Sequence, residues 1–346
     1  MEPADVTLVH IANAMRMDVA ELLDESRYAE RLFRPPEKRP IGKKHRLLDI
    51  PSPSFKWRLK LLHRFAQKHL PVHDCAHGGV AKRSCFTAAE RHCGRVAVVT
   101  RDIKDCYPSV MPEAFEAELR ALGFAADVAI VLTRLMTVRG RIPQGSPVSG
   151  DALNLYLFRS DELIRGEAAT FGGRYTRSAD DMVISVDSVA AVSAAEALLE
   201  REIAANGLCV NVEKRRKNGV LRRHETQLVH NIDVNSPYGT RPSAERSAKA
   251  LDAAIGYVRG ARGASPATII GLAARRQRVY GHYNDIRQAH RSPAAHVKKL
   301  LDAGDRFVAA KLVAAGLGSL KDGWWVVAGG RDEPRRIAAL WPRIAL

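Results

Sequence analysis

Long apolar runs are missing from this sequence. No stretch approaches the roughly 18–20 apolar residues that a membrane span needs, so a spanning protein is not expected. Cysteine is scarce and odd in number: Cys75, Cys85, Cys93, Cys106 and Cys209 stand at irregular intervals, which argues against a disulfide framework and for a reducing compartment. His69, His73, Cys75 and His77 cluster, with Cys85, His92 and Cys93 beyond them, but no Cys-x-x-Cys pair or zinc-ligand spacing occurs. These histidines are expected to be solvated or to face phosphate. The opening Met1-Glu-Pro-Ala-Asp5 is acidic and lacks the basic-then-apolar order of a signal peptide, so a cytoplasmic location is expected. Negative charge is short as well: 38 Asp and Glu stand against 54 Lys and Arg, a net charge of +16. Such an excess points to a polyanionic partner, nucleic acid more than a membrane surface.

The chain has 346 residues, enough for a substantial core in two or three subdomains. Residues 1–27 carry a helical period through Val6, Leu8, Ile11, Ala12, Met15, Val19, Leu22 and Leu23. A basic, Pro-punctuated stretch from Arg31 to Arg46 reads as a linker or a nucleic-acid-facing loop. Leu47–Pro51 reads as a short strand, and Phe55–Leu70 as an amphipathic helix with Lys and Arg on its polar face. The turn His77-Gly-Gly-Val-Ala-Lys-Arg-Ser84 precedes a helical segment, Thr87–His92, and is either an ordinary exposed turn or a triphosphate clamp built on Lys82 and Arg83.

Val96–Thr100 is a buried-strand pattern that delivers Asp102 at its end, where a carboxylate usually marks a site. Helices are expected over 112–122, 125–136, about 151–165 and 189–205, the last closed by Asn206-Gly207. Gly140–Ser149 is a loop stiffened by Gly and Pro. Arg174–Ser185 alternates polar and apolar residues around Asp180-Asp181 and reads as strand, tight turn, strand. Adjacent carboxylates at a hairpin tip repel each other, an objection that a divalent cation removes; hard oxygen ligands suit Mg²⁺. Leu208–Lys214 reads as a strand ending in Lys214, and Thr226–Val234 as another. From Pro242 onward the pattern is helical and basic over 244–262, 267–290 and 294–315, with Tyr257, Tyr280 and Tyr283 among the cations, and a short hairpin plus helix is expected from Trp324.

These elements, in this order, resemble the reverse transcriptases. Asp102 with Tyr107 resembles motif A, Ile142-Pro-Gln-Gly-Ser-Pro-Val-Ser149 with Asn154-Leu-Tyr-Leu157 motif B, and Ser178-Ala-Asp-Asp181 the Tyr-x-Asp-Asp box. Asn206-Gly-Leu with Asn211-Val-Glu-Lys214 resembles motif D, and Gln227–Asn235 motif E. The resemblance is best to bacterial retron-type enzymes or a related defence-associated lineage, through Tyr28–Pro51, the His77-Gly-Gly run and Ile270–Tyr280. Ser178 stands where the family usually has Tyr. The nearest equivalents of two motifs common in retron enzymes are Ala88-Ala-Glu-Arg-His92 and Val229-His-Asn231.

The resemblance implies an α+β right-hand polymerase: an N-terminal lead over 1–45, fingers over 46–100, a palm with an antiparallel sheet over 101–240, and a helical thumb with a C-terminal segment over 241–346. It implies RNA-directed DNA synthesis on a structured non-coding RNA, with dNTPs and an RNA–DNA hybrid as partners, a possible effector protein, no membrane, and a role in antiphage defence. Asp102, Asp180, Asp181 and the Ile103 carbonyl would hold two Mg²⁺, with Mn²⁺ as a substitute. Lys82 and Arg83 would hold the triphosphate, Tyr107 would exclude ribonucleotides, Gln144 would position the incoming nucleotide, and Lys214 would donate a proton to pyrophosphate. Untemplated or protein-primed synthesis, and an RNA-binding scaffold without catalysis, are the alternatives.

Overall fold

A computed structural model describes residues 2–41, 44–235, 240–243, 318–321 and 324–327. The basic helices expected over 244–315, and the helix expected after Trp324, lie outside these. The chain divides into two compact units, Met1–His230 and Asn231–Leu346.

The first unit opens with two helices, α1 (Leu8–Met15) and α2 (Val19–Arg27). Arg16 in the left-handed region ends the first, and Asp18, whose side chain accepts the Glu21 N–H, starts the second. Ile11, Met15 and Leu22 carry this pair into the core. The basic stretch read as linker or loop is in fact a hairpin, β1 (Glu37–Ile41) pairing antiparallel with β2 (Lys44–Leu48). Its strands carry charge rather than an apolar alternation, which is why sequence periodicity passes over them.

Helix α3 (Pro53–His69) starts on a proline at its first turn and buries Phe55, Leu59, Leu62 and Ala66. After the glycine loop, the Ser84 hydroxyl caps α4 (Cys85–Glu90). The apolar strand β3 (Ala97–Asp102) is followed by α5 (Cys106–Ser109), α6 (Pro112–Ala121) and α7 (Ala126–Met136). The single helix expected over 151–165 is two, α8 (Ser149–Tyr156) and α9 (Phe158–Thr170), parted at Leu157. The hairpin of β4 (Arg174–Ser178) and β5 (Asp181–Val186) follows as expected, then α10 (Val192–Ala205), closed by Gly207 at φ 66°.

The strand expected over 208–214 is a correction. Only Val210 bridges to Ile103, and from Asn211 the chain turns into α11 (Val212–Asn218), which puts Lys214 in the first turn of a helix. Asn211 accepts the Lys214 N–H as an N-cap at 3.3 Å, and this local bond wins over the apolar alternation of Leu208, Val210 and Val212. The strand β6 (Val220–Arg222) completes a four-stranded antiparallel sheet in the order β4-β5-β3-β6. The expected strand over 226–234 is likewise broken, into β7 (Leu228–Val229) and β8 (Ile232–Asp233), by left-handed residues at His230 and Asn231.

In the second unit β8 pairs antiparallel with β9 (Arg241–Pro242). β10 (Gly318–Lys321) pairs antiparallel with β11 (Trp324–Val327), so Trp324 opens the second strand of a hairpin rather than the first, and the hairpin starts earlier in the chain than expected. Among the described residues no helix is long and apolar enough to cross a membrane.

Candidate active site

Sheet register brings the three carboxylates together. Asp102 ends β3 directly opposite Asp181, which begins β5, and Asp180 sits in the turn beside it. Ala179 at φ 55° makes the turn tight, and the Ile103 N–H donates to the Asp180 carbonyl at 2.9 Å, so β3 and the tip are stitched at the site itself. Each carboxylate offers an oxygen within 4.8 Å of the others.

Packing three acids so closely is electrostatically unfavourable, and it shows at Asp180 and Asp181. Burial first, and Asp102's charge second, hold Asp180 above the ordinary carboxylate range. Burial and the charge of Asp180 push Asp181 up to about 8, although its side chain keeps 46% of its surface exposed at the mouth of the site. Tyr107, on α5, is pushed up to about 12 by burial and then by Asp180. Lys214 answers the excess: its ammonium contacts Asp102 and lies 4.0 Å from Asp181. Burial works against its charge, but the bond to Asp102 and the neighbouring carboxylates hold the ammonium above its ordinary range. A set of hard oxygens in mutual repulsion, drawing in a cation, fits divalent metal ions of the Mg²⁺ class.

A second layer of residues holds this geometry. Asn211 donates from Nδ2 to Asp102 Oδ1 at 2.9 Å, and its backbone N–H donates to the Asp102 carbonyl at 2.8 Å. Behind the hairpin, fully buried Arg177 clasps Asp161 with a shortest contact of 2.6 Å and donates to the Ala179 carbonyl at 3.0 Å and to Asn154 Oδ1 at 3.1 Å. Asn154 in turn donates to the Gly78 carbonyl at 3.1 Å. The loop before Gly78 runs along β4, with Arg177 and His77 exchanging backbone bonds with Cys75 and Arg177 at 2.9 and 2.7 Å. A Cβ on Gly78 would stand 2.3 Å from the Ala179 nitrogen, so only glycine permits this approach.

Besides Tyr107, the residues expected to meet the nucleotide lie in two loops. Lys82 is exposed, at φ 63°. Arg83 turns one arm inward, where Nη1 donates to the His73 and Ala76 carbonyls at 2.7 and 2.8 Å and braces the glycine loop. Gln144 accepts the Asp49 N–H on its carbonyl at 2.8 Å, and buried Asp49 is gripped by Arg139 and Arg141 at 2.9 and 3.0 Å. Gly145, at φ 120°, passes close over the Asp49 carbonyl.

Sequence reasoning missed Arg46, on β2, whose positive charge is felt at both Tyr107 and Asp180. Its signal was the basic run 31–46. The expectation of solvated or phosphate-facing histidines is corrected at three positions: His73, His77 and His92 are buried. His77 bonds Thr87 at 2.7 Å, and His92 bridges Ser185 and Thr176 at 2.7 Å each. His73, Cys75 and Asp161 do converge, but Asp161 is taken by Arg177 and burial keeps Cys75 a thiol.

The family model described as reverse transcriptase (RNA-dependent DNA polymerase) matches residues 37–221, more than half of the chain. The retron Mx65 reverse transcriptase of Myxococcus xanthus is 38% identical over 216 residues, covering 56% of this chain and 49% of that protein. The retron Ec86 reverse transcriptase of Escherichia coli is 31% identical over 132 residues, covering 38% of this chain and 41% of that protein. The chain spans about half the length, or less, of these curated relatives. Among solved structures, the telomerase from Candida tropicalis in complex with a TWJ fragment of telomeric RNA aligns with a TM-score of 0.47 at 9% identity, over 77% of this chain and 53% of that one.

Proposed function

The chain belongs to the reverse transcriptase family, with the right-hand polymerase fold, and from that premise we propose that it is an RNA-directed DNA polymerase extending a primer on a structured non-coding RNA. The observation that carries the reading is the register of β3 on β5, which sets Asp102 against Asp181 with Asp180 alongside.

Asp102, Asp180 and Asp181, with the Ile103 carbonyl, would hold two Mg²⁺, for which Mn²⁺ can substitute. When bound, these ions lower the pKa of the primer 3′-hydroxyl and neutralise charge on the dNTP phosphates. Asn211 fixes the orientation of the Asp102 carboxylate. Lys214, released from Asp102, is the proton donor to the departing pyrophosphate. Lys82, Arg83 and Arg46 hold the triphosphate. The half-buried ring of Tyr107 lies against the sugar 2′ position and excludes ribonucleotides. Gln144, fixed through Asp49, positions the incoming nucleotide. Ser178 leaves more room beside the primer end than the usual Tyr.

In this assignment residues 1–45 are the lead, 46–100 the fingers, 101–240 the palm and 241–346 the thumb with a C-terminal segment. An RNA–DNA hybrid is the moving product, an effector protein an associate, the cytoplasm the place, and antiphage defence the role; the location rests on the sparse, unpaired cysteines, and the effector and the defence role on the resemblance to retron-type enzymes.

The test is to purify the protein from its native host and sequence the nucleic acid that accompanies it, beside an Asp180→Ala/Asp181→Ala control. One RNA species, with complementary DNA present only when the carboxylates are intact, supports the reading. DNA without a matching RNA removes RNA templating from it and leaves untemplated or protein-primed synthesis.

A further inference from the structure

Helix α3 carries a pattern that the polymerase chemistry does not use. Its 17 residues, Pro53–His69, contain no Asp or Glu, and Lys56, Lys60, Arg64 and Lys68 repeat at every fourth position. Like charges spaced this way oppose the helix, whereas an ordinary solvated face intersperses glutamates that support it. The pattern is therefore a cost to the isolated fold. Among the described residues, Arg58 is the one Lys or Arg of α3 with a carboxylate partner, Glu25.

Three of the ladder cations share an edge with an aromatic. Trp57, Lys60, Arg64 and Lys68 fall within an arc of about 80° on a helix of 3.6 residues per turn, a stripe about 16 Å long. All four are exposed, Trp57 at 48%, and the Arg16 guanidinium lies over its ring, 5.7 Å from the centroid. The opposite face is occupied by the core through Phe55, Leu59, Leu62 and Ala66, and one flank is tied down by Gln67, which bonds Gly79 and Ala81 of the glycine loop at 2.9 and 2.8 Å. The stripe is rigid, outward and positive.

We propose that this stripe of α3 is a docking surface for the phosphate backbone of the structured RNA, separate from the catalytic carboxylates, with Trp57 available to stack on an unpaired base. The proposal rests on the RNA-directed reading above and adds where that RNA is held. A regular row of cations without acids matches a continuous polyanion, and a flat aromatic beside it suits single-stranded or looped RNA. An anionic membrane fits less well, because the outward face offers Trp57 and no further apolar residue along the stripe.

The experiment compares the full-length protein with its Lys60→Gln/Arg64→Gln and Trp57→Ala variants. Each is titrated with a labelled RNA stem-loop carrying a single-stranded tail over a series of salt concentrations, and assayed for extension of a short preformed RNA–DNA hybrid. The double variant is expected to bind the stem-loop about tenfold more weakly, with a salt slope shallower by about 1.5, while hybrid extension is unchanged. Its melting temperature is expected to equal or exceed that of the wild type, since all three like-charge contacts along the row (56/60, 60/64 and 64/68) are gone. Trp57→Ala is expected to weaken binding without changing the slope.

An unchanged affinity and slope in the double variant would overturn the proposal. So would a parallel loss of hybrid extension, which would place these cations on the catalytic duplex, and so would equal dependence of phosphatidylserine-vesicle binding on Lys60 and Arg64, which would make the partner a membrane. Wild-type protein that extends no hybrid counts against the polymerase reading instead, and the stem-loop titration still decides the docking surface.

Discussion

The side-chain amide of Asn211 and the carboxylate of Asp102 are 2.9 Å apart, and the same Asn211 caps the helix that carries Lys214. One residue thus sets both the orientation of a metal-ligand candidate and the position of the cation that neutralises it. Asn211→Ala is expected to cost about 1 kcal/mol as a lost cap, and to slow primer extension about tenfold. Asn211→Asp keeps a capping oxygen but brings a fourth negative charge to the site. It is expected to lose more activity than stability, read by single-turnover extension beside thermal unfolding; equal losses in both variants would mean that Asn211 acts through the fold alone.

The carboxylates repel one another in the metal-free protein, so removing one should separate stability from function. Asp181→Asn is expected to raise the melting temperature without divalent ions, because the group is held protonation-prone by burial and by Asp180. Extension should fall about a thousandfold or more, the worth of several kcal/mol of charge stabilisation. A variant that is active, or that melts lower than the wild type, contradicts the site.

Tyr107 is assigned a selective role that a core tyrosine would not have. Tyr107→Ala is expected to admit ribonucleotides while Tyr107→Phe keeps them out. Steady-state incorporation of rNTP against dNTP measures this, and a Tyr107→Ala enzyme as selective as the wild type would show the gate assignment to be wrong.

Gly78 tests the contact between the glycine loop and the β4–β5 hairpin. With its Cβ 2.3 Å from the Ala179 nitrogen and 2.9 Å from the Ser178 carbonyl carbon, Gly78→Ala must push the tip or the loop away. Neither neighbour is a side chain that can swing aside. Loss of extension exceeding tenfold is expected even in protein that remains folded by circular dichroism.

Acid should weaken the fold through two buried histidines. Burial holds His77 down to about 4 and His92 well below its ordinary 6.5, so both are neutral when folded and take up protons when unfolded. Their contribution is therefore present above about pH 6.5 and is lost as pH falls from there toward about 4. Denaturant midpoints measured from neutral pH downward should decline, and His77→Gln should flatten the decline. A stability that is flat across that window would exclude the effect.

Much of the palm was legible because its signals are local. The apolar run ending at Asp102, the alternation on either side of Asp180-Asp181 and the glycine after α10 each depend on residues within a few positions, and the structure follows them. The misreadings occurred where two local signals competed. At 208–214 an alternating apolar pattern met a capping asparagine, and at 31–46 charge concealed a hairpin. Lys214 lies beside Asp102, but its place on a helix depended on which signal won.

By itself the sequence determined the kinds of groups available: three acids at strand ends, a basic surplus, a rigid glycine loop and the order in which they occur. Tertiary structure alone decided which of them meet. That Asp102 faces Asp181 is a matter of strand register, and that Arg177 pairs with Asp161 while Gly78 lies on Ala179 depends on packing between segments far apart in the chain. The physical reason is that register and close approach are settled by the whole buried surface at once. A one-residue slip of β5, which is buried on both faces, would exchange those faces against their packing partners and separate the carboxylates, and no local pattern encodes that cost.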